Sequence, residues 1–415
     1  MAEKQFNDFS LRVISPSVLF TLLVIVFNIV PSTVILLTDY IPVRELLSES
    51  DFRESKEVYF FALCLFFATF LVGRLFISFI ASGKLRLMNR HSESRTKVRR
   101  YFQLTNKVVM SVFALCILLI FLYAMNGGFE KILLLGSDMD GREFRFIGFD
   151  DINRIYTAGL AISRRFLLPI VIIILYCRFR FGDKKIRAWL IFAIILQLFA
   201  SALTFARAPF LTLLVGIFVV RIMTEENKKR MFFQVFLLLL CVVFMAGVVT
   251  AMQYNMTNVP LSHALLMGVD FLTNRAWFVP NVVPINLVFS DEYLYSNPLF
   301  LQYSRLSGLF GGEVVGTAEN FSKYVAPVGY IGDVWRNFSW GGLVLFGIFS
   351  SILFAHLDTL STRLSVVGVI VFMFLMLAMI FYWIMGVVFS QGAIFSISLM
   401  YIFFYIDRFL KRDRT

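Results

Sequence analysis

Apolar runs of about the length of a bilayer crossing recur along the 415-residue chain, each closed by a polar or charged connection. Ten can be read: 17–37, 57–80, 106–125, 166–179, 188–204, 208–223, 231–252, 341–357, 364–384 and 386–406. Runs of this kind are helices in lipid, so the pattern predicts an all-α, polytopic integral membrane protein of about ten transmembrane helices. The fourth, fifth and sixth runs are short. Ala188 to Met223 is nevertheless too long for one crossing and right for two. Three connections on one side are longer, at about 38–56, 126–165 and 253–340. The last far exceeds what a connection needs, and Pro and Gly break it into apolar stretches suited to short interfacial helices. The chain reads as a single transmembrane domain, 1–415, carrying two prominent outer loops, 126–165 and 253–340.

Composition agrees: 59% of residues are hydrophobic, 16% are charged, and the mean hydropathy is +0.79, far from any ordinary soluble domain. The net charge of +12 could point to a polyanion, but its distribution argues against one. With both termini placed in the cytoplasm, the inner side holds 24 Lys and Arg against 9 Asp and Glu, and the outer side 14 against 18. The basic cluster Gly83–Arg100, the segment "RFRFGDKKIR" and the tail "DRFLKRDRT" all fall on the inner side, as the positive-inside rule requires. The charge reports topology, and no nucleic-acid partner is expected. Arg74 lies inside the second run and is expected to snorkel to the inner basic cluster. Cys64, Cys116, Cys177 and Cys241 all fall within spans and form neither a metal spacing nor a disulfide framework. The first run, preceded by Lys4 and Arg12 without a small-residue cleavage signal, reads as an uncleaved anchor.

Candidate chemistry gathers on the outer side. Among its 14 basic residues only Lys56, Lys131 and Lys323 are lysine; the rest are arginine, whose planar fork matches phosphate oxygens. Arg164, Arg165, Arg207, Arg275 and Arg336 fall near span ends, where a lipid-linked phosphate would sit. Arg207, beside Pro209 at an outer turn, has two readings: snorkelling to headgroups, or facing an outward cavity that holds an anion. Asp138 and Asp140 form a DxD, but the further ligands of a calcium loop are missing and an Asp-rich turn explains them; no metal is assigned. His263 is the one outer histidine and a candidate general base. In "GYIGDVWRNFSWGGLVLFGIF" (Gly329–Phe349), Tyr330, Trp335 and Trp340 read as an interfacial aromatic belt. Asp333 and Arg336 are interleaved with them, a carboxylate and a guanidinium suited to a sugar and its diphosphate.

At three zones the chain resembles the Wzy-type O-antigen polymerases, the oligosaccharide repeat-unit polymerase family. They are "ALTFARAPFLTLL", "LTNRAWFVPNVV" (Leu272–Val283) and "YIGDVWRNFSWGGLVLFG", together about a tenth of the chain. Ala208 stands where a glycine commonly follows the arginine, and Ser339 breaks the usual Asn-Phe-Gly. The resemblance implies a GT-C-like membrane glycosyltransferase in the bacterial inner membrane, its active site facing the periplasm and needing no cofactor. The growing glycan would move from undecaprenyl diphosphate to a new lipid-linked repeat unit. Undecaprenyl-diphosphate-linked oligosaccharides, membrane lipids and a chain-length regulator of the polysaccharide pathway are the implied partners. Arg207 and Arg275 are then expected on the diphosphate, with Arg305, Arg336, Arg164 and Arg165 also binding substrate. Asp333 is the first candidate base and His263 the second. An O-antigen ligase is the nearest rival, although its functional histidine is expected well inside the large loop and His263 sits near the start. A flippase or transporter would place charges at mid-membrane, and these spans are nearly free of them.

Overall fold

The computed structural model describes residues 8–38, 49–80, 88–130, 154–203, 207–224, 260–270, 329–384 and 391–412, with isolated residues between 227 and 247 and between 273 and 285. Among the described residues, seven helices are long and apolar enough to cross a membrane. They are α1 (Pro16–Thr38), α2 (Glu49–Ile80), α3 (Thr96–Gly128), α4 (Ile155–Arg180), α8 (Gly329–Arg363), α9 (Val366–Ile384) and α10 (Gln391–Arg412). Three shorter helices are also described, α5 (Arg187–Ala202), α6 (Arg207–Thr224) and α7 (Leu261–Asp270). The protein is therefore a multi-pass helical membrane protein. The fifth and sixth apolar runs become α5 and α6, of 16 and 18 residues, while most of the seventh lies outside the described residues.

Several helix starts are written into the chain. Ser15 caps α1 by accepting the Val18 N–H at 3.4 Å, with Pro16 in the first turn where no N–H is needed. Ser365 caps α9 by accepting the Gly368 N–H at 2.9 Å, and Asp407 of α10 accepts the Ser365 N–H at 2.8 Å. Asp407 is fully buried there, a carboxylate held at the positive end of the α9 dipole. Both caps lie at the end of the bundle that carries the basic connections, here the basic end; the opposite end, where the long segments attach, is the loop end.

The architecture is overwhelmingly helical, as expected, and a two-stranded sheet at the basic end is an addition to it. Strands β1 (Asp8–Ile14) and β2 (Met88–Ser94) pair antiparallel, with Leu11 opposite His91 and Val13 opposite Asn89. The sequence reading makes these segments a flank and a basic loop, because their alternation is short and masked by charge. What settles the strand is burial: Leu11 and Val13 are 3% and 2% exposed, and β1 packs against α6 and α9.

The core centres on α9, of whose 19 residues 15 are buried, so that helix is apolar on every side. Beside it α2 and α8 run together over a long contact. Their closest approach is glycine-mediated: a Cβ on Gly73 would lie 2.5 Å from Ser351 Oγ, and one on Gly347 would overlap the Thr69 side chain. Phe20, Phe66, Phe70, Phe354 and Trp383 fill the space between α1, α2, α8 and α9, with Phe20 stacked on Phe354 at 4.2 Å. Arg74 does not snorkel to the basic cluster. It reaches across to Asp358 of α8 at 2.6 Å, and Asp358 also accepts the Ser17 N–H at 3.0 Å, so the charge is neutralised inside the bundle.

Candidate functional site

The apolar pattern starts the fourth span at residue 166, but the helix begins at Ile155. Arg164 and Arg165, expected at the span end, therefore stand about 14 Å along α4 from its loop end, at 1.5 Å per residue. They sit in a π-helical turn, Ser163–Leu167, two residues before Pro169. In this turn the Leu168 N–H bonds the Ser163 carbonyl, five residues back, so the Arg164 carbonyl loses its usual donor. Gln197 of α5 supplies one instead, Nε2 to Arg164 O at 2.8 Å, with both groups buried. The extra residue in the turn swings the Arg164 side chain inward, and Arg164 is 5% exposed.

Two tyrosines border the arginines. Tyr123, near the loop end of α3, lies within electrostatic reach of Arg164, and Tyr382, near that of α9, within reach of both Arg165 and Arg164. The Tyr382 ring is pinned from both sides: Phe166 packs on it with centroids 5.9 Å apart, and Gly392 lies so close that any Cβ there would enter the ring. α6, whose first residue is Arg207, packs against the same π turn. Two guanidinium forks and a phenol in apolar surroundings are chemically suited to a polydentate anion, because low dielectric strengthens each charge-assisted hydrogen bond.

A second polar node lies across α9. Here α1 contains a π turn, Ile25–Ile29, two residues before Pro31, which has no N–H to offer the Phe27 carbonyl. Asn281, from the long segment before α8, donates Nδ2 to Phe27 O at 2.9 Å. Its Oδ1 accepts from Asn28 at 3.2 Å, Ser32 at 3.2 Å and Tyr59 at 3.0 Å. Tyr330, in the first turn of α8, donates to Asn28 Oδ1 at 3.5 Å. The Tyr330 phenol is fully buried, and its donation to Asn28 closes the node. Consecutive α9 residues separate the two sites: Phe381 meets Phe27 at 5.5 Å, and Tyr382 lies within electrostatic reach of Arg165.

The remaining expected residues divide as follows. Arg207 opens α6, and Asp333 and Arg336 lie in the first turns of α8; their backbones are helical, and their side chains lie outside the described residues. Arg275, Arg305, Asp138 and Asp140 also lie outside the described residues. His263 is exposed on α7, its N–H bonded to the Pro260 carbonyl at 2.9 Å. The aromatic belt needs correction: Tyr330 and Trp335 are 0% and 4% exposed, and only Trp340 has an interfacial residue's exposure, 38%. These aromatics belong to the bundle because α8 starts at Gly329, twelve residues before the apolar run. Tyr123, Tyr382, Gln197, Asn28 and Asn281 escaped the sequence reading. A usable signal existed for two of them: Asn28 and Gln197 are carboxamides within otherwise apolar runs. No family model, no curated protein and no solved structure matches this chain.

Proposed function

We propose that the protein is a membrane glycosyltransferase that polymerises repeat-unit glycans carried on undecaprenyl diphosphate, working at the loop end, which faces the periplasm. The observation that carries this reading is the Arg164–Arg165 π turn: two guanidiniums well inside a spanning helix, Arg164 buried and both within electrostatic reach of the half-buried Tyr382. An arginine at such depth is expensive in hydrocarbon and is by default a functional group. A diphosphate on a lipid tail reaches this depth from within the bilayer, and a soluble anion does not.

In the reaction a hydroxyl at the non-reducing end of the acceptor attacks the anomeric carbon of the donor. The bond from that carbon to the diphosphate oxygen breaks, and undecaprenyl diphosphate leaves with the electron pair. Arg164 and Arg165 stabilise the charge that grows on it, and Arg207 and Arg275 are the further arginines assigned to the same role. The hydroxyl proton goes to a general base, for which the Asp333 carboxylate on α8 is the first candidate and the His263 imidazole the second. The test is a gel of surface polysaccharide from a deletion strain. Single repeats on the core support polymerase; bare core would assign the protein to ligation, and absence of any surface repeat to flipping.

A further inference from the structure

Asn281 is 0% exposed although it belongs to the long segment that precedes α8, and it is surrounded by α1, α2 and the start of α8. Its amide makes four hydrogen bonds: one donation from Nδ2 to Phe27 O at 2.9 Å and three acceptances at 3.0 to 3.2 Å on Oδ1. The fit is specific. Aspartate at this position could not donate to the Phe27 carbonyl and would bury a charge, while an apolar residue would leave four polar groups without their partner. The Phe27 carbonyl is free for it only because Pro31 lacks an N–H. Val282 and Ile285, on the same helical stretch, are 0% and 1% exposed, so side chains around Asn281 enter the bundle with it. Arg275 lies six residues before Asn281 in the chain, and Tyr330, which closes the node, lies three residues before Asp333. One buried node thus joins Asn281 to the first turn of α8, the turn that carries the candidate base.

We infer that Asn281 is a positioning residue: it docks its own helical stretch against α1 and α2 and, through Asn28 and Tyr330, sets how the first turn of α8, which carries Asp333, enters the bundle. The docking is a property of the fold; only its effect on turnover rests on the polymerase reading. The test uses full-length protein in lipid nanodiscs, as parent, Asn281→Leu and Pro31→Ala. Pro31→Ala gives α1 the missing N–H, which competes with Asn281 for the Phe27 carbonyl while leaving Asn281 itself in place. Hydrogen exchange is followed across 276–290, with α2 and α9 as internal references for the fold. Exchange across 276–290 should rise at least about tenfold in Asn281→Leu and by a smaller factor in Pro31→Ala, with α2 and α9 still protected. In parallel, kcat for polymerisation should fall in the same order, while affinity for undecaprenyl diphosphate changes by less than about twofold. Unchanged exchange across 276–290 in both variants would overturn the docking, and released exchange with parental kcat would overturn the positioning role. A parent protein that binds the lipid diphosphate without polymerising would instead overturn the polymerase reading, and the exchange measurement would still decide the docking.

Discussion

The π turns of α1 and α4 use one backbone device for two ends. Each precedes a proline by two residues, each leaves a carbonyl without its helical donor, and each has that carbonyl taken by a carboxamide from elsewhere in the chain. In α1 the carboxamide is Asn281, 254 residues from Phe27; in α4 it is Gln197, 33 residues from Arg164. The side chains around them then set the difference. Around α1 they are neutral, and Asn28, Ser32, Tyr59, Tyr330 and Asn281 bond to one another. Neutral hydrogen bonds of about 1 kcal/mol each close such a node into a joint. Around α4 two guanidiniums stand in the turn, and their field in a low-dielectric interior acts on any anion that reaches them. A π turn is thus a way of admitting a foreign polar group into a membrane helix, and neighbouring charge decides whether the result is a joint or a site.

The comparison breaks most clearly on turnover. Arg165→Ala should lower polymerisation by about 100-fold or more, as removal of a charge-stabilising donor does elsewhere, with Arg165→Lys recovering only part of it because the fork is lost. Parental turnover in Arg165→Ala would make the α4 turn a second joint. Asp333→Asn should cost about 100-fold while lipid-linked acceptor still binds, since an amide keeps the shape but takes no proton. Near-normal polymerisation by that variant would remove Asp333 from the chemistry and leave His263 to be tried.

Smaller effects sharpen the contrast in stability. Gln197→Leu leaves the Arg164 carbonyl buried without its donor, and thermal denaturation should show a loss of about 1–3 kcal/mol. A stability equal to the parent's would mean that the α4 turn needs no carboxamide. Tyr59→Phe removes one of three donors to Asn281 and should cost about 1 kcal/mol by the same measurement. The smallest change concerns the path of α8, where Ser339 kinks the helix at φ 53° and ψ −150°, a conformation that suits glycine. Ser339→Gly should raise stability by about 1 kcal/mol, and a loss instead would show that the serine side chain holds the kink.

Ser339 shows how a resemblance and a structure inform each other. The resemblance leads one to expect glycine there, and the serine holds a backbone conformation that suits glycine. Arg164 and Arg165 show the opposite case. Their identity as candidates was readable from residue type, but their depth was not, because the apolar run ends at Phe166 while the helix continues to Ile155. Hydropathy sees lipid-facing surface, and a turn buried by α3, α5, α6 and α9 has no need to be apolar.

The chain alone determined that the protein is helical, crosses a membrane several times and is basic at one end, because those properties follow from run length and local charge, which need no partner. It also announced its breaks, since Pro31 and Pro169 remove a donor wherever they stand. What fills each break is another matter. Asn281 reaching Phe27, Gln197 reaching Arg164, Arg74 turning to Asp358 and β1 finding β2 are pairings between distant positions. Tertiary structure decided them, because a carbonyl freed by proline states only that a donor is required, and packing of the helices determines which donor arrives.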